Sequence, residues 1–258
     1  RDDVAASQGE IGSAAAYSIA AGNVVWGNRI GLSTYNGMLR NNLSYGNVGT
    51  STNPAAGILV TGFGAQILGN TVYQTSGDAF QISPSASTVN VKMRNNVLHV
   101  GGSGGYALDI AAGSQAGISS DSNLFFITGA AKTGFWSGAG RTTLSDWKTA
   151  STQDASSISG DPLYVDADGA DNQLGLVGAT DFGADDNFHE QSPNGSFKGA
   201  SLAPILSGVT GLPIDQTGSY SNDAGAASPV IDRGDSTFAF TNEPANNGGF
   251  VNIGAYGN

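Results

Sequence analysis

The sequence has no cysteine, few charged residues and no long apolar run. The absence of cysteine from its 258 residues excludes disulfides, thiolate metal ligands and thiol catalysis. Charged residues make up only 12% of the chain, and a net charge of −11 argues against a nucleic-acid partner, since such binding needs a basic surface. No stretch approaches the roughly 18 apolar residues of a transmembrane helix, so we expect no membrane insertion.

Glycine is the residue type present in excess, at 39 of 258 residues. Many glycines with few charges disfavour a helical protein, whereas a hydrophobic fraction of 39% predicts a packed core. The chain begins without an initiator methionine or a signal-like apolar segment. We therefore expect it to be a piece of a longer protein.

A short motif recurs along the first half of the chain: an asparagine, two further residues, and then an aromatic ring or a histidine. Its copies are NVVW, NLSY, NTVY, NVLH and NLFF, which begin at Asn23, Asn42, Asn70, Asn96 and Asn123. The intervals are 19, 28, 26 and 27 residues. Between the copies lie short runs of Val, Ile, Leu and Phe bounded by Gly, Ser and Asn, a pattern typical of strands.

A repeated unit of about 27 residues with three strand-like runs is typical of one coil of a parallel β-helix. A leucine-rich repeat has a similar length, but its L-x-x-L-x-L spacing is missing here. We therefore predict an all-β fold, with a parallel β-helix of about five coils in residues 1–130. Residues 131–258 should form an irregular C-terminal cap and flank that packs on the coils, because the last coil must not leave an open edge.

Equivalent residues of successive coils stack at about 4.8 Å and form columns. The repeat asparagines should adopt the left-handed turn conformation and hydrogen-bond along the axis as a ladder. The residues three positions later form an aromatic column, in which His99 is a stacked ring rather than a base. This column packs the fold or binds a glycan, with Trp26, Tyr45 and Tyr73 as the glycan candidates.

The sequence also predicts an ion pair between two coils and a short helix after the last coil. Arg94 and Asp121 each lie two residues before a repeat asparagine, which predicts an ion pair between adjacent coils. After about Phe126 the period is lost, and a Ser-x-x-Trp stretch predicts a short helix that starts between Thr143 and Asp146.

The tail segments DWKTASTQDASSISGDPLYVD, SPVIDRGD and GFVNIGAYGN, with the coil segments GNTVYQTSGDAFQI and MRNNVL, carry a family resemblance. Together they resemble large secreted bacterial β-helix repeat proteins of the pectin-lyase-like superfamily, over roughly residues 17–258. The resemblance implies a right-handed coil and an extracellular or cell-surface location. It leaves the activity open, because this fold serves lyases, hydrolases, adhesins and tailspikes.

Candidate chemistry in the coils is sparse. Elimination on an acidic polysaccharide would use calcium and a basic residue, for which Lys92 and Arg94 are candidates, with Asp78 as a neighbouring carboxylate. Hydrolysis would need carboxylates that converge on one face, and the coils contain no paired Asp motif.

Calcium is the cofactor that the acidic segments of the sequence favour. Asp166, Asp168 and Asp171 alternate with small residues in DADGADN, and Asp161 lies just upstream, although an ordinary acidic turn would give the same pattern.

We predict that the protein is a non-catalytic scaffold, adhesin or matrix building block of a larger bacterial surface protein. Its partners would be polysaccharides, other surface proteins or further copies joined through coil ends or lateral faces. The alternative is a polysaccharide lyase or hydrolase.

Overall fold

The chain folds as a parallel β-solenoid, which confirms the predicted fold class. The computed structural model describes residues 18–83, 88–193, 196–197, 203–214, 220–221, 223, 225–242 and 248–257. Residues 1–17 of the predicted coil region lie outside these ranges. Among the described residues, no helix is long and apolar enough to cross a membrane.

Three sheets run along the solenoid, and each coil contributes one strand to each sheet. The first sheet contains β1 (Ile19–Ala21), β4 (Met38–Arg40), β7 (Gln66–Leu68), β10 (Lys92–Arg94) and β13 (Ser119–Asp121). The second contains β2 (Val24–Trp26), β5 (Leu43–Tyr45), β8 (Thr71–Gln74), β11 (Val97–Val100), β14 (Leu124–Ile127) and β17 (Ile158–Ser159). The third contains β3 (Ile30–Thr34), β6 (Ala56–Val60), β9 (Asp78–Ile82), β12 (Tyr106–Ile110), β15 (Lys132–Trp136) and the antiparallel β16 (Ala139–Arg141).

The core consists of columns of apolar side chains, one from each sheet, because the strands pair in register from coil to coil. Burial of one such side chain stabilises the fold by about 1.5–3 kcal/mol. The inward columns are Ala20, Leu39, Ile67 and Met93 from the first sheet, Val25, Ser44, Val72, Leu98 and Phe125 from the second, in which Ser44 is the one polar member, and Leu32, Ile58, Phe80 and Leu108 from the third.

The turn between the first and second sheets repeats in every coil. Its left-handed position is filled by Gly22, Asn41, Gly69, Asn95 and Ser122, with φ between 49° and 69°. We predicted that the ladder asparagine itself would be left-handed, and this was wrong, since the residue before it has that conformation. Asparagine and glycine tolerate the left-handed region best, which explains the paired NN and GN in the repeats.

A short helix closes the C-terminal end of the coils, as predicted. Helix α1 (Leu144–Ser151) begins with a capping box, in which the Thr143 hydroxyl accepts the N–H of Asp146 and the Asp146 carboxylate accepts the N–H of Thr143. The indole of Trp147 is fully buried, and a Cβ on Gly134 would lie only 2.4 Å from its Cε3 atom. Trp147 therefore fills the core position that Gly134 leaves open in β15.

The parallel sheets extend past residue 130, where we predicted the coils to end, since they include β15 and β17. A 3₁₀ turn (Ala112–Ser114) follows β12. The remaining strands form three small antiparallel ribbons: β18 (Tyr164–Asp166) with β21 (Asn187–Glu190), β19 (Leu176–Val177) with β20 (Thr180–Asp181), and β22 (Ser196–Phe197) with β23 (Tyr220–Ser221).

Candidate functional site

The repeat asparagines form a continuous chain of side-chain hydrogen bonds, as predicted. From Asn23 to Asn123, each Nδ2 donates to the Oδ1 of the asparagine in the next coil, over 2.8 to 3.0 Å. The same oxygens accept the backbone N–H of the preceding asparagine at 2.9 to 3.1 Å. A buried amide is costly unless its donors and acceptors are paired, so this ladder both stabilises the coils and fixes their register.

The ladder ends on Asp154, a residue that the sequence did not single out. Its Oδ1 accepts Asn123 Nδ2 at 3.0 Å and the hydroxyls of Ser120 and Ser157 at 3.0 and 2.6 Å. Its Oδ2 accepts the indole N–H of Trp147 at 2.7 Å. Asp154 is 1% exposed, so this buried carboxylate is satisfied by four donors and joins the ladder to the closing helix.

The aromatic column is in register, and its rings are in contact. Trp26 stacks on Tyr45 with ring centroids 5.6 Å apart, and Tyr73 stacks on His99 at 4.1 Å. Between them, Phe188 of the C-terminal flank contacts both Tyr45 and Tyr73, at 4.7 and 5.9 Å. The column therefore has the packing role that we considered.

His99 is a stacked ring in this column, as predicted. Beyond Tyr73, its ring contacts Phe126 at 4.6 Å and Tyr164 at 6.0 Å. Burial lowers the pKa of His99 to about 4, so the imidazole is neutral near pH 7. Its Nδ1 atom is buried and has no hydrogen-bond partner in the part of the chain that the structure describes.

The C-terminal flank covers the three aromatic residues that we proposed for glycan binding. Tyr45 is fully buried and donates its hydroxyl to the carbonyl of Gly183 at 3.2 Å. The half-buried Trp26 donates its indole N–H to Asp181 Oδ1 at 3.0 Å. Tyr45 is therefore covered in this structure, and glycan binding by Tyr45 and by the half-buried Trp26 and Tyr73 stays a prediction.

The basic candidates lie on the first sheet and contact the flank. Arg94 donates to the carbonyl and hydroxyl of Ser119 at 2.7 Å each, and its Nε lies 3.4 Å from Asp235 Oδ2. Lys92 lies over the ring of Phe238, with Nζ 5.6 Å from the centroid. Arg94 pairs in register with Asp121, as predicted, but its ion pair is with Asp235, since the Asp121 carboxylate accepts the N–H groups of neighbouring serines.

Asp78, the third catalytic candidate, lies on the third sheet, so the structure does not bring it together with Lys92 and Arg94. It is 6% exposed, and its Oδ1 accepts the N–H of Tyr106 at 2.8 Å. Burial raises the pKa of Asp78 to about 7, with a smaller contribution from Asp109, while the Tyr106 hydrogen bond opposes the shift.

Three candidate calcium ligands, Asp166, Asp168 and Asp171, lie in or beside one exposed turn of the flank, which contacts a second acidic turn at Asp185. Asp185 Oδ2 accepts the N–H of Asp171 at 3.3 Å, and Asp171 Oδ1 accepts the N–H of Gln173 at 2.9 Å. Asp161 Oδ1 accepts the N–H of Leu163 within its own turn. In the ranges that the structure describes, no three carboxylate or histidine side chains are arranged to hold a metal, and calcium binding stays a prediction.

Two further carboxyl groups are buried between the flank and the coils. Asp186 is fully buried, with Oδ2 accepting the N–H of Gly175 at 2.9 Å, and burial raises its pKa to about 6. Glu190 is half-buried as a residue, but its Oε1 atom is buried and has no hydrogen-bond partner in the described ranges, and burial raises the pKa of Glu190 to about 8. Both lie in the segment GADDNFHE of the flank.

A serine occupies the sixth position of the ladder, which we did not predict. Ile158 pairs with Leu124, so Ser157 occupies the next ladder position after Asn123, and its hydroxyl accepts the Asn123 N–H at 2.8 Å. The interval from Asn123 to Ser157 is longer than the earlier intervals, and serine replaces asparagine, so the repeat pattern did not predict this sixth unit.

Comparison of the chain with protein-family models, curated proteins and solved structures found no match.

Proposed function

We propose that the chain is a non-catalytic, rigid β-helix module of a larger bacterial surface protein of the pectin-lyase-like type. It would act outside the cell or at its surface as a scaffold, adhesin or matrix building block, with polysaccharides or other surface proteins as partners. The observation that carries this proposal is that the conspicuous polar and aromatic side chains of the coils are engaged within the fold. The ladder binds itself and Asp154, the aromatic column packs under the flank, and Arg94 contacts Asp235.

Rigidity follows from the way the coils are joined. Every coil shares backbone pairing in three sheets with the next coil, and the ladder adds buried side-chain bonds at each step. A hinge between two coils would break all of these at once, so the solenoid should hold a fixed length.

Pulsed electron paramagnetic resonance tests this rigidity, and the absence of native cysteine allows labels to be placed uniquely. Asn36→Cys and Thr142→Cys lie at exposed positions near the first and last rungs of the third sheet. We expect one narrow distance distribution that stays unchanged when acidic polysaccharide is added. A broad or two-peaked distribution would refute the scaffold role.

The rival function is a polysaccharide lyase or hydrolase, and the observation in its favour is Asp78, a buried carboxyl that exchanges its proton near neutral pH. A screen of uronate polysaccharides with and without calcium, monitoring unsaturated and reducing-end products, separates the two functions. We expect no turnover. Turnover that is lost in Asp78→Asn or Arg94→Ala would establish an enzyme, with Asn53→Ala, at an exposed loop position, as the control.

A further inference from the structure

Glu190 lies on the face of the flank that packs against the aromatic column. It is the last residue of β21 and pairs in register with Tyr164 of β18, so the two side chains lie on the same face of this ribbon. Phe188 of the same strand contacts the Tyr164 ring, with centroids 5.0 Å apart, and also contacts Tyr45 and Tyr73 of the column. The β18–β21 ribbon therefore covers the column with the face that carries Glu190.

Glu190 is half-buried as a residue, and a backbone hydrogen bond lowers its pKa against the larger effect of burial. Its Oε1 atom and the Tyr164 hydroxyl are both buried, and neither has a hydrogen-bond partner among the described residues. A Cβ on Gly254 would lie 3.0 Å from Glu190 Oε1 and 2.9 Å from Thr71 Oγ1, so the carboxyl reaches between the C-terminal segment and β8. This contact is the meeting point of ribbon, tail and second sheet.

Tyrosines face this carboxyl from two neighbouring elements, and the His189 ring stacks on one of them, Tyr256, with centroids 3.8 Å apart. Tyr164 faces it from β18 and Tyr256 from the C-terminal segment. Burial raises the pKa of both hydroxyls, and the charge of Glu190 raises it further. Next to Tyr164 lie Tyr73 and His99 from the second sheet, and Asp161 from the preceding turn. Within the described ranges no lysine or arginine contributes to its charge balance.

Protonation decides whether this contact is favourable. A protonated Glu190 places a neutral group in the enclosed site, whereas an ionised one places an unpaired charge there, which buried sites tolerate poorly. Burial raises its pKa from 4.5 to about 8. The contribution to docking is thus complete below about pH 4.5 and is lost as the pH rises through about 8.

We propose that Glu190 is a pH-sensitive switch that holds the β18–β21 ribbon on the aromatic column when protonated and releases the ribbon when it ionises. Release uncovers Tyr45 and Tyr73, which the ribbon otherwise covers through Phe188. The switch is independent of the scaffold function and would operate equally in an enzyme.

Hydrogen exchange on the full chain at about pH 5 and about pH 9, corrected for intrinsic exchange rates, tests the switch. We expect protection in β18 and β21 to fall at least about tenfold at the higher pH, while protection in β8 and β11 is kept. Glu190→Gln should remove this difference, because the amide cannot ionise. Asp185→Asn, at an exposed carboxylate just before β21, is the matched control and should behave as the unsubstituted chain.

A second measurement needs no substitution. The chain has three glutamates, so carboxyl carbon resonances can be followed by NMR, and we expect one to titrate far above the other two, together with the loss of ribbon protection. Equal protection at both pH values would overturn the switch. So would a pH response that persists in Glu190→Gln or that disappears in Asp186→Asn instead, since the second result would assign it to the neighbouring buried carboxyl.

Discussion

Replacement of Asp154 by alanine should destabilise the fold more than most single substitutions in this chain. The carboxylate accepts four buried hydrogen bonds, two of them from donors that cannot rotate away, the Asn123 amide and the Trp147 indole. A buried donor left without an acceptor costs about 1–3 kcal/mol. Allowing for partial rescue by the serine hydroxyls, we expect Asp154→Ala to lower the free energy of unfolding by about 4 kcal/mol.

Equilibrium denaturation in urea measures this loss, and a double-mutant cycle locates its source. Asp154→Asn keeps one acceptor oxygen but turns a donor toward the indole or the serines, so about 2 kcal/mol should be lost. Combined with Trp147→Phe, which removes the indole N–H, the two losses should be clearly non-additive. A loss below about 1 kcal/mol for Asp154→Ala would refute the view that this carboxylate terminates the ladder.

The remaining predictions concern the ladder, pH and calcium. Asn96→Ala removes four side-chain hydrogen bonds and should cost about 3 kcal/mol in urea denaturation, whereas exposed Asn53→Ala should change stability by less than about 0.5 kcal/mol, and equal effects would contradict the ladder's role. Asp78→Asn should stabilise the fold by about 2 kcal/mol at pH 8 and little at pH 4, because the raised pKa of Asp78 makes its ionisation unfavourable as the pH rises through about 7; a pH-independent effect would contradict this. If the acidic turns bind calcium, calorimetry should show a melting temperature that rises with added calcium, falls back with chelator and no longer responds in Asp168→Asn or Asp171→Asn; no response in the unsubstituted chain would exclude the site.

The coils were predictable because equivalent residues make the same contact in every coil. An asparagine that must bond to its counterpart in the next coil, and a ring that must stack on its counterpart, leave a periodic trace, and the register from Trp26 through Phe126 follows that trace. The left-handed position was assigned one residue late because Asn41 and Asn42 are both asparagine, although only the first has a positive φ.

The flank was less predictable because its contacts join distant parts of the chain and do not repeat, so they produce no periodic pattern in the sequence. Nothing near Tyr45 in the sequence indicates that Gly183 and Phe188 cover it. Asp78 and Arg94 are close in sequence, yet the coil geometry places them on different sheets. Burial of Glu190 depends on Gly254, which lies far along the chain and leaves room for the carboxyl only because it lacks a side chain.

The direction of the asparagine ladder gives the solenoid an electrical polarity. Every amide donates in the same sense, from Asn23 toward Asn123, so the side-chain dipoles add along the axis as peptide dipoles do in a helix. The positive end meets the Asp154 carboxylate, and the negative end is the carbonyl oxygen of Asn23. Any coil joined in front of β1 must therefore present a donor to that oxygen, which means that coils of this type can be joined in only one orientation.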